Sequence, residues 1–354
     1  MKAIIRREIL NYLKGPLFWI AAVFVVFGVY QQLAPYLNIH YIASEEELKY
    51  DGPEAVPEAD IFEGYVPSRE ENRREFWEKI IQETLLAEFG MDEDEASAVI
   101  REMNGMEIKE ASQYLKEQYS FYNAYYAWED AAYHKGTKDE INSYIRGELE
   151  EHPFSWYFSR KFADFSGLFM GFAATVLLAV LFMQDVRKNT YELLHTKPVG
   201  AAQYVLGKVT GGFLVCLILL GILNLVFWAA CLVCTRGNGF EIRLTDFLFV
   251  TGVYILPNML MIVCVYMLTA LLFKNPLPAV PVLILYIIYS NMGSRNEEGV
   301  YGYAWRPMAI MVRFPGPFFQ ITPAPGALVN QTCLLLAAGA VILIGIQLWR
   351  RRRI

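Results

Sequence analysis

The chain has 354 residues, 55% of them hydrophobic, with a mean hydropathy of +0.27 and a formal net charge of −6. This is too apolar for a soluble globular protein and too charged for a wholly embedded one. The charge is segregated: residues 36–164 hold 30 of the 37 acids and 13 of the 31 bases, and no helix-turn-helix or zinc-knuckle spacing points to nucleic acid.

Residues 1–15 interleave Ile4, Ile5, Ile9, Leu10 and Leu13 with Lys2, Arg6, Arg7 and Lys14, a spacing that predicts a basic amphipathic helix at the cytoplasmic membrane surface. Residues 16–35 follow as a first transmembrane helix, uncharged from Pro16 to Gln31, with Trp19 and Tyr30 near its ends. Its apolar core is too long for a secretory signal, and no convincing cleavage site follows. Residues 36–164 predict an acidic, all-helical domain. Its opening, Tyr41 to Pro67, is rich in Glu, Pro and Gly and reads as irregular. Helical spacing then begins after Ser68 and continues over Asp92–Met103 and Glu107–Tyr133. Thr137 and Glu140 form a capping-box pattern that opens a last helix from Lys138 to about Glu150.

The aromatic run that includes Tyr122, Tyr126 and Trp128 covers more than one helix face. It suits a stacking or cation–π platform for an extracellular ligand, although such residues more often form the core of a small domain.

Five further apolar runs lie within residues 165–349: Phe165–Met183, Val209–Cys234, Phe247–Phe273, Pro276–Asn291 and Cys333–Trp349. The sequence therefore predicts an all-α polytopic membrane protein, with six transmembrane helices and a large helical extracellular insert between the first and second. The short basic pieces at residues 1–15, 184–208 and 350–354 all fall on one side, which sets both termini in the cytoplasm and the acidic insert outside. No Asp, Glu, Lys, Arg or His lies near the centre of a span, so the ionisable groups on which ion-coupled carriers depend are missing. Asn224 and Asn258 are the central polar residues. Either could contact cargo on its path, but hydrogen bonding between helices is the commoner use. Pro257 should kink the fourth span, and the pairs Gly167/Gly171 and Gly207/Gly211 predict close helix packing.

The polar segment 184–208 separates two apolar runs. Asn189 or Thr190 can cap a short helix, Leu193 and Leu194 form its small apolar face, and Pro198 stops it. An acidic residue closing a span (Asp185), then Thr190, Leu193-Leu194, Pro198-Val199 and Tyr204-x-x-Gly207-Lys208 opening the next, resembles the first intracellular loop of ABC-2-type ABC transporter permeases. Residues 293–331, where Trp305, Phe314, Phe318 and Phe319 mix with five prolines, are similar to the half-inserted segment between that family's last two spans, and equally to an ordinary interfacial loop. The insert departs from many members, which have a short loop there.

The resemblance implies a transport subunit without its own active site. ATP and Mg would be bound by a separate ATPase subunit, and two permeases, identical or related, would combine in the membrane lipid with two ATPases. Residues Asn189–His195 would sit in a groove of the ATPase, with Asp185, Pro198 and Lys208 fixing the loop. The cargo expected is a lipid, peptide or antibiotic-like amphiphile, moved outward. Nothing in the sequence contradicts a non-catalytic chain. Its four histidines are scattered, Cys231-x-x-Cys234 lacks partner ligands, and the Gly207-Lys208 pair is followed by Val209 rather than by a Walker Ser or Thr. Two other classes fit less well: a membrane sensor or scaffold reading a ligand through residues 36–164, which leaves four spans unexplained, and an embedded enzyme, for which no catalytic set converges.

Overall fold

The computed structural model describes residues 2–48, 60–186, 199–295, 301–303, 306–323 and 325–351, with the side chains of residues 3, 181–186, 294–295 and 301–302 undescribed. Helix α1 (Lys2–Leu13) leads at Gly15 into α2 (Pro16–Leu37), where Pro16 starts the helix at no cost because a first-turn N–H has no intrahelical partner. The insert contains β1 (Tyr65–Pro67), α3 (Glu70–Ala87), α4 (Glu93–Glu102), α5 (Ile108–Tyr119), α6 (Ala124–Asp130), β2 (Tyr133–Lys135) and α7 (Lys138–Glu151). Then come α8 (Phe154–Val186), α9 (Ala201–Cys234), α10 (Leu244–Val250) running through a π-helical turn at Thr251–Ile255 into α11 (Leu256–Phe273), and α12 (Ala279–Asn291). A small pair, β3 (Gly293–Arg295) and β4 (Tyr301–Tyr303), precedes α13 (Ala327–Arg351).

Among the described residues five helices are long and apolar enough to cross a membrane: α2, α8, α9, the continuous Leu244–Phe273 and α13. The sixth predicted span is α12, whose 13 residues rise about 20 Å, short of a bilayer core. Cys264 meets the Ala338 carbonyl, and Leu271 lies against Gly345, so α11 and α13 run the same way. The chain between them therefore turns back, and α12 is the helical part of that return.

Two expectations about the insert are corrected. It is not all-helical, because β1 and β2 pair antiparallel with Tyr65 opposite Lys135 and Pro67 opposite Tyr133. The predicted helix Glu107–Tyr133 is in fact α5, a break at Ser120, α6 and β2. Ser120 adopts a left-handed conformation (φ +58°) and caps α5, a position usually filled by Gly or Asn. The capping box of α7 forms as expected, with the Thr137 side chain accepting from the Glu140 N–H and Glu140 accepting from the Thr137 N–H at 2.9 Å.

The insert divides between two cores. Trp77, Ile81, Leu85, Val99, Met103, Leu115 and Phe121 close a small core of their own from α3 to α6. Ile61, Val66, Ile141 and Ile145 join instead the large core formed by the long helices, so α7 belongs to the membrane body. The second long helix also begins earlier than predicted. Asp164, set at the edge of the insert by its charge, lies a third of the way along α8, 4% exposed.

Candidate functional site

At the end of the molecule remote from the insert, α8 and α9 flank the predicted coupling loop. Asp185 stands in the last turn of α8, and Asn189, Thr190, Leu193, Leu194, His195 and Pro198 lie outside the described residues. Lys208, in the second turn of α9, is buried. Its Nζ is 2.7 Å from Glu8 Oε1, with side-chain exposures of 2% and 6%. Two long charged side chains are buried this deeply at a cost that their mutual attraction offsets, and removing Glu8 would take a carboxylate from a buried ammonium. The approach depends on small residues. Gly207 receives Ile4 and Gly211 receives the Glu8 stem, and a Cβ on Gly211 would stand 3.1 Å from Glu8 Cβ. The predicted Gly207/Gly211 packing face is therefore occupied, by α1. On another side of α9, Tyr204 stacks on Trp349 of α13 with ring centroids 3.8 Å apart. Glu8 was missed in the sequence. The available signal was a lone acid one turn from both Ile4 and Tyr12, on the face of α1 that would otherwise be apolar.

Asn224 and Asn258 are both buried in helix packing. Asn224 Nδ2 donates to the Leu220 carbonyl at 2.7 Å, and its Oδ1 accepts from Thr251 Oγ1 at 3.0 Å, joining α9 to the π-helical turn. Asn258 Nδ2 donates to the Tyr254 carbonyl at 2.6 Å. Pro257 cannot bond the carbonyl one turn back, and a π-helical turn lies directly before it.

At the insert end, residues 306–323 run through the protein as an extended strap with one 3-10 turn at Phe318–Gln320, and no α-helix is described in it. Ala309, Ile310, Phe314, Phe318 and Ile321 are buried, so the backbone of the strap needs partners that secondary structure does not supply. Side chains supply them. The Met308 carbonyl accepts from Tyr286 Oη at 2.5 Å, the Ala309 carbonyl from Asn330 Nδ2 at 2.8 Å and the Gly316 carbonyl from Lys161 Nζ at 2.5 Å. The Ile310 N–H donates to Ser290 Oγ at 3.0 Å. Arg313 bonds Asp164 of α8 and Asn291 of α12. Phe318 stacks on Tyr36 and meets Phe154 at a tilt, with centroids 5.4 and 5.2 Å away.

Asp60 ties the insert to this strap. It is 4% exposed, and its carboxylate accepts from the Phe318 N–H at 3.0 Å and the Ile61 N–H at 2.7 Å. Burial pushes its carboxyl up to about 6, against the partial opposition of the Phe318 hydrogen bond and the Lys161 charge. Tyr133 of β2 adds a hydrogen bond to Gln320.

Of the predicted aromatic platform, Tyr122 is exposed, with Lys116 Nζ 5.8 Å from its ring centroid, and Tyr126 is half-buried. Trp128 is half-buried on the small core. Arg73 lies 4.2 Å over its ring and also donates to its carbonyl, so a cation already covers this face from within the protein. Among the described residues no cluster of His, Cys, Asp or Glu could hold a metal ion, and all five cysteines are free thiols.

These features define a polytopic, predominantly α-helical membrane protein whose buried polar groups bind helices and strap to one another. Residues 2–298 match the family model described as ABC-2 family transporter protein, and the chain belongs to that family. It is a permease of an ABC transporter, a transmembrane transport subunit not itself catalytic, and the family implies association with an ABC ATPase. Comparison with curated proteins gives no significant match, and neither does comparison with solved structures.

Proposed function

We propose that the chain is the membrane-spanning half of an ATP-driven exporter, paired with a second permease, identical or related, and powered by separate ATPase subunits carrying ATP and Mg. Both termini and residues 184–208 face the cytoplasm and the insert faces outward, an arrangement supported by the basic residues at 1–15, 184–208 and 350–354. The chain crosses six times, with α12 and the strap making the fifth crossing together. Asn189, Thr190, Leu193, Leu194 and His195 dock on the ATPase, and Asp185, Pro198 and Lys208 hold the loop's ends.

The observation that carries this reading is the family match combined with the buried anchor of Lys208. A coupling loop transmits a push only if its root is fixed, and this root is held by an ion pair inside packed protein. The cargo class we favour is an amphiphile, such as a lipid, peptide or antibiotic-like molecule, since Asp164 and Lys208, charges inside the long helices, are paired with protein groups. In this setting Asn224 serves helix contact more than cargo, bonding Thr251 of the next span, whereas Asn258 bonds only its own helix at Tyr254 and keeps its buried Oδ1 without a partner.

The test is purification from the native membrane in mild detergent. A polypeptide with a Walker motif should copurify, and reconstituted vesicles should show ATP-dependent movement of a fluorescent lipid or peptide. Copurification of no such chain would sink the reading. The separate core of α3–α6 favours one rival, a sensor that binds a ligand through residues 36–164 on its Tyr122, Tyr126 and Trp128 surface. Ligand binding without ATP-dependent transport would select it.

A further inference from the structure

We propose that Glu8 is a positioning residue for energy coupling, and that α1 is a crossbar joining the two stems of the coupling loop. The inference rests on the permease reading above and assigns a role to a helix that the sequence places merely at the membrane surface. Three residues one turn apart carry it. Ile4 packs on Gly207, Glu8 pairs with Lys208 at 2.7 Å, and Tyr12 Oη donates to the Leu177 carbonyl at 2.6 Å. Gly207 and Lys208 belong to α9, the stem that follows the loop, and Leu177 belongs to α8, the stem that precedes it. A single face of α1 is thus bonded to both sides of the segment that meets the ATPase.

The choice of an ion pair for this contact is informative. An apolar pair of similar volume would hold α1 to α9 about as well but would tolerate sliding, whereas a buried charge accepts only the register that presents its counter-charge. A slip of α1 by one turn would bring Ile4 or Tyr12 opposite Lys208 and break its pair with Glu8 inside packed protein. The bond from Tyr12 to Leu177 would be lost in the same slip. Glu8 therefore fixes where α1 sits, and α1 fixes the spacing of the stems, so a displacement imposed on the loop moves α8, α9 and α1 as one body. The cations Lys2, Arg6 and Arg7 lie on the exposed side of α1 and are free of this duty, open to headgroups or to the ATPase.

Two measurements test it. In the first, spin labels at Arg6 and Leu206, both exposed, are read in the full chain reconstituted without any partner. The wild type should give one narrow distance, Glu8→Ala should broaden it, and the exchange Glu8→Lys with Lys208→Glu should narrow it again. A broad distribution in the wild type, or no change on Glu8→Ala, overturns the crossbar whatever the partner proves to be. In the second, the complex purified with its ATPase is assayed for ATP turnover. Glu8→Ala and the milder Tyr12→Phe should lower kcat by about fivefold at unchanged KM for ATP and unchanged ATPase stoichiometry, with recovery in the charge exchange. Wild-type kcat in both variants would refute the coupling role. Loss of the ATPase from the wild-type preparation would instead count against the permease reading, while the label distances still decide the crossbar.

Discussion

Acidification should tighten the joint between the insert and the strap, through Asp60. When the joint opens, the carboxyl returns to its ordinary value near 3.8; when closed it lies at about 6, so the closed state holds a proton more strongly. A carboxyl raised in this way stabilises the closed joint at low pH, and the contribution is lost as pH rises through about 6. The full difference is about 3 kcal/mol at about 1.4 kcal/mol per pH unit. Between about pH 7.5 and about pH 5 only part is recovered, about 1.4 kcal/mol, or about a tenfold change in the opening equilibrium.

The reporter is built in, because the Phe318 N–H donates to Asp60. Amide hydrogen exchange of a peptide spanning Phe318, corrected for the intrinsic pH dependence of exchange, should show about tenfold more protection at the lower pH. Asp60→Asn keeps the shape and one acceptor but cannot ionise, so its protection should be flat across the range. Lys161, Glu63 and Tyr133 stand around the same carboxyl, and their charges are common to both proteins. An equal rise in the Asn variant, or none in the wild type, would refute the reasoning.

Trp77→Ala should destabilise the insert's own core by about 3–5 kcal/mol. The indole is fully buried, and its Nε1 donates to the Ala124 carbonyl at 2.8 Å, so limited proteolysis should cut within α3–α6 while the long helices stay intact. Arg313→Ala should cost up to about 3–5 kcal/mol by removing the guanidinium paired with buried Asp164, with Lys161 as the cation left nearby. The pair Arg313→Met with Asp164→Asn should recover most of that loss in thermal melts in detergent. If Leu193 and Leu194 dock on the ATPase as proposed, Leu193→Ala with Leu194→Ala should cut the ATPase retained on purification by about fivefold or more, as for truncated apolar anchors of an interface. A quantitative blot against the permease band checks it.

The long helices were legible because an uncharged apolar run of about 20 residues has few other fates, and the Thr137–Glu140 cap was legible because its logic is local. Contacts made across long separations left weaker traces. Three-residue strands such as β1 and β2 show no periodicity to read. The stop at Ser120 was hidden because the residue adopts a conformation its type seldom visits. Asp164 was taken for an edge residue because charge is costly within a span, and Arg313, 149 positions later, helps to make its place tolerable. The strap resisted reading for a similar reason. Its backbone is satisfied one group at a time by side chains from the insert, α8, α12 and α13, which no local pattern announces. Of the candidate site, the sequence located Lys208 and its glycine neighbours but not the acid that holds them, since a partner 200 residues away leaves no mark beside the lysine.

The paired strands at the base of the insert deserve a last consequence. The Ser68 N–H donates to the Ala132 carbonyl at 2.8 Å, so everything between them departs from and rejoins the chain at nearly one point. A module whose two ends touch is a cassette: it can be excised and the cut bridged by a few glycines without stretching its host. What would remain keeps Asp60, α7 and the strap together, so a trimmed transporter would reveal whether the acidic cassette selects what is carried or only adorns the machine that carries it.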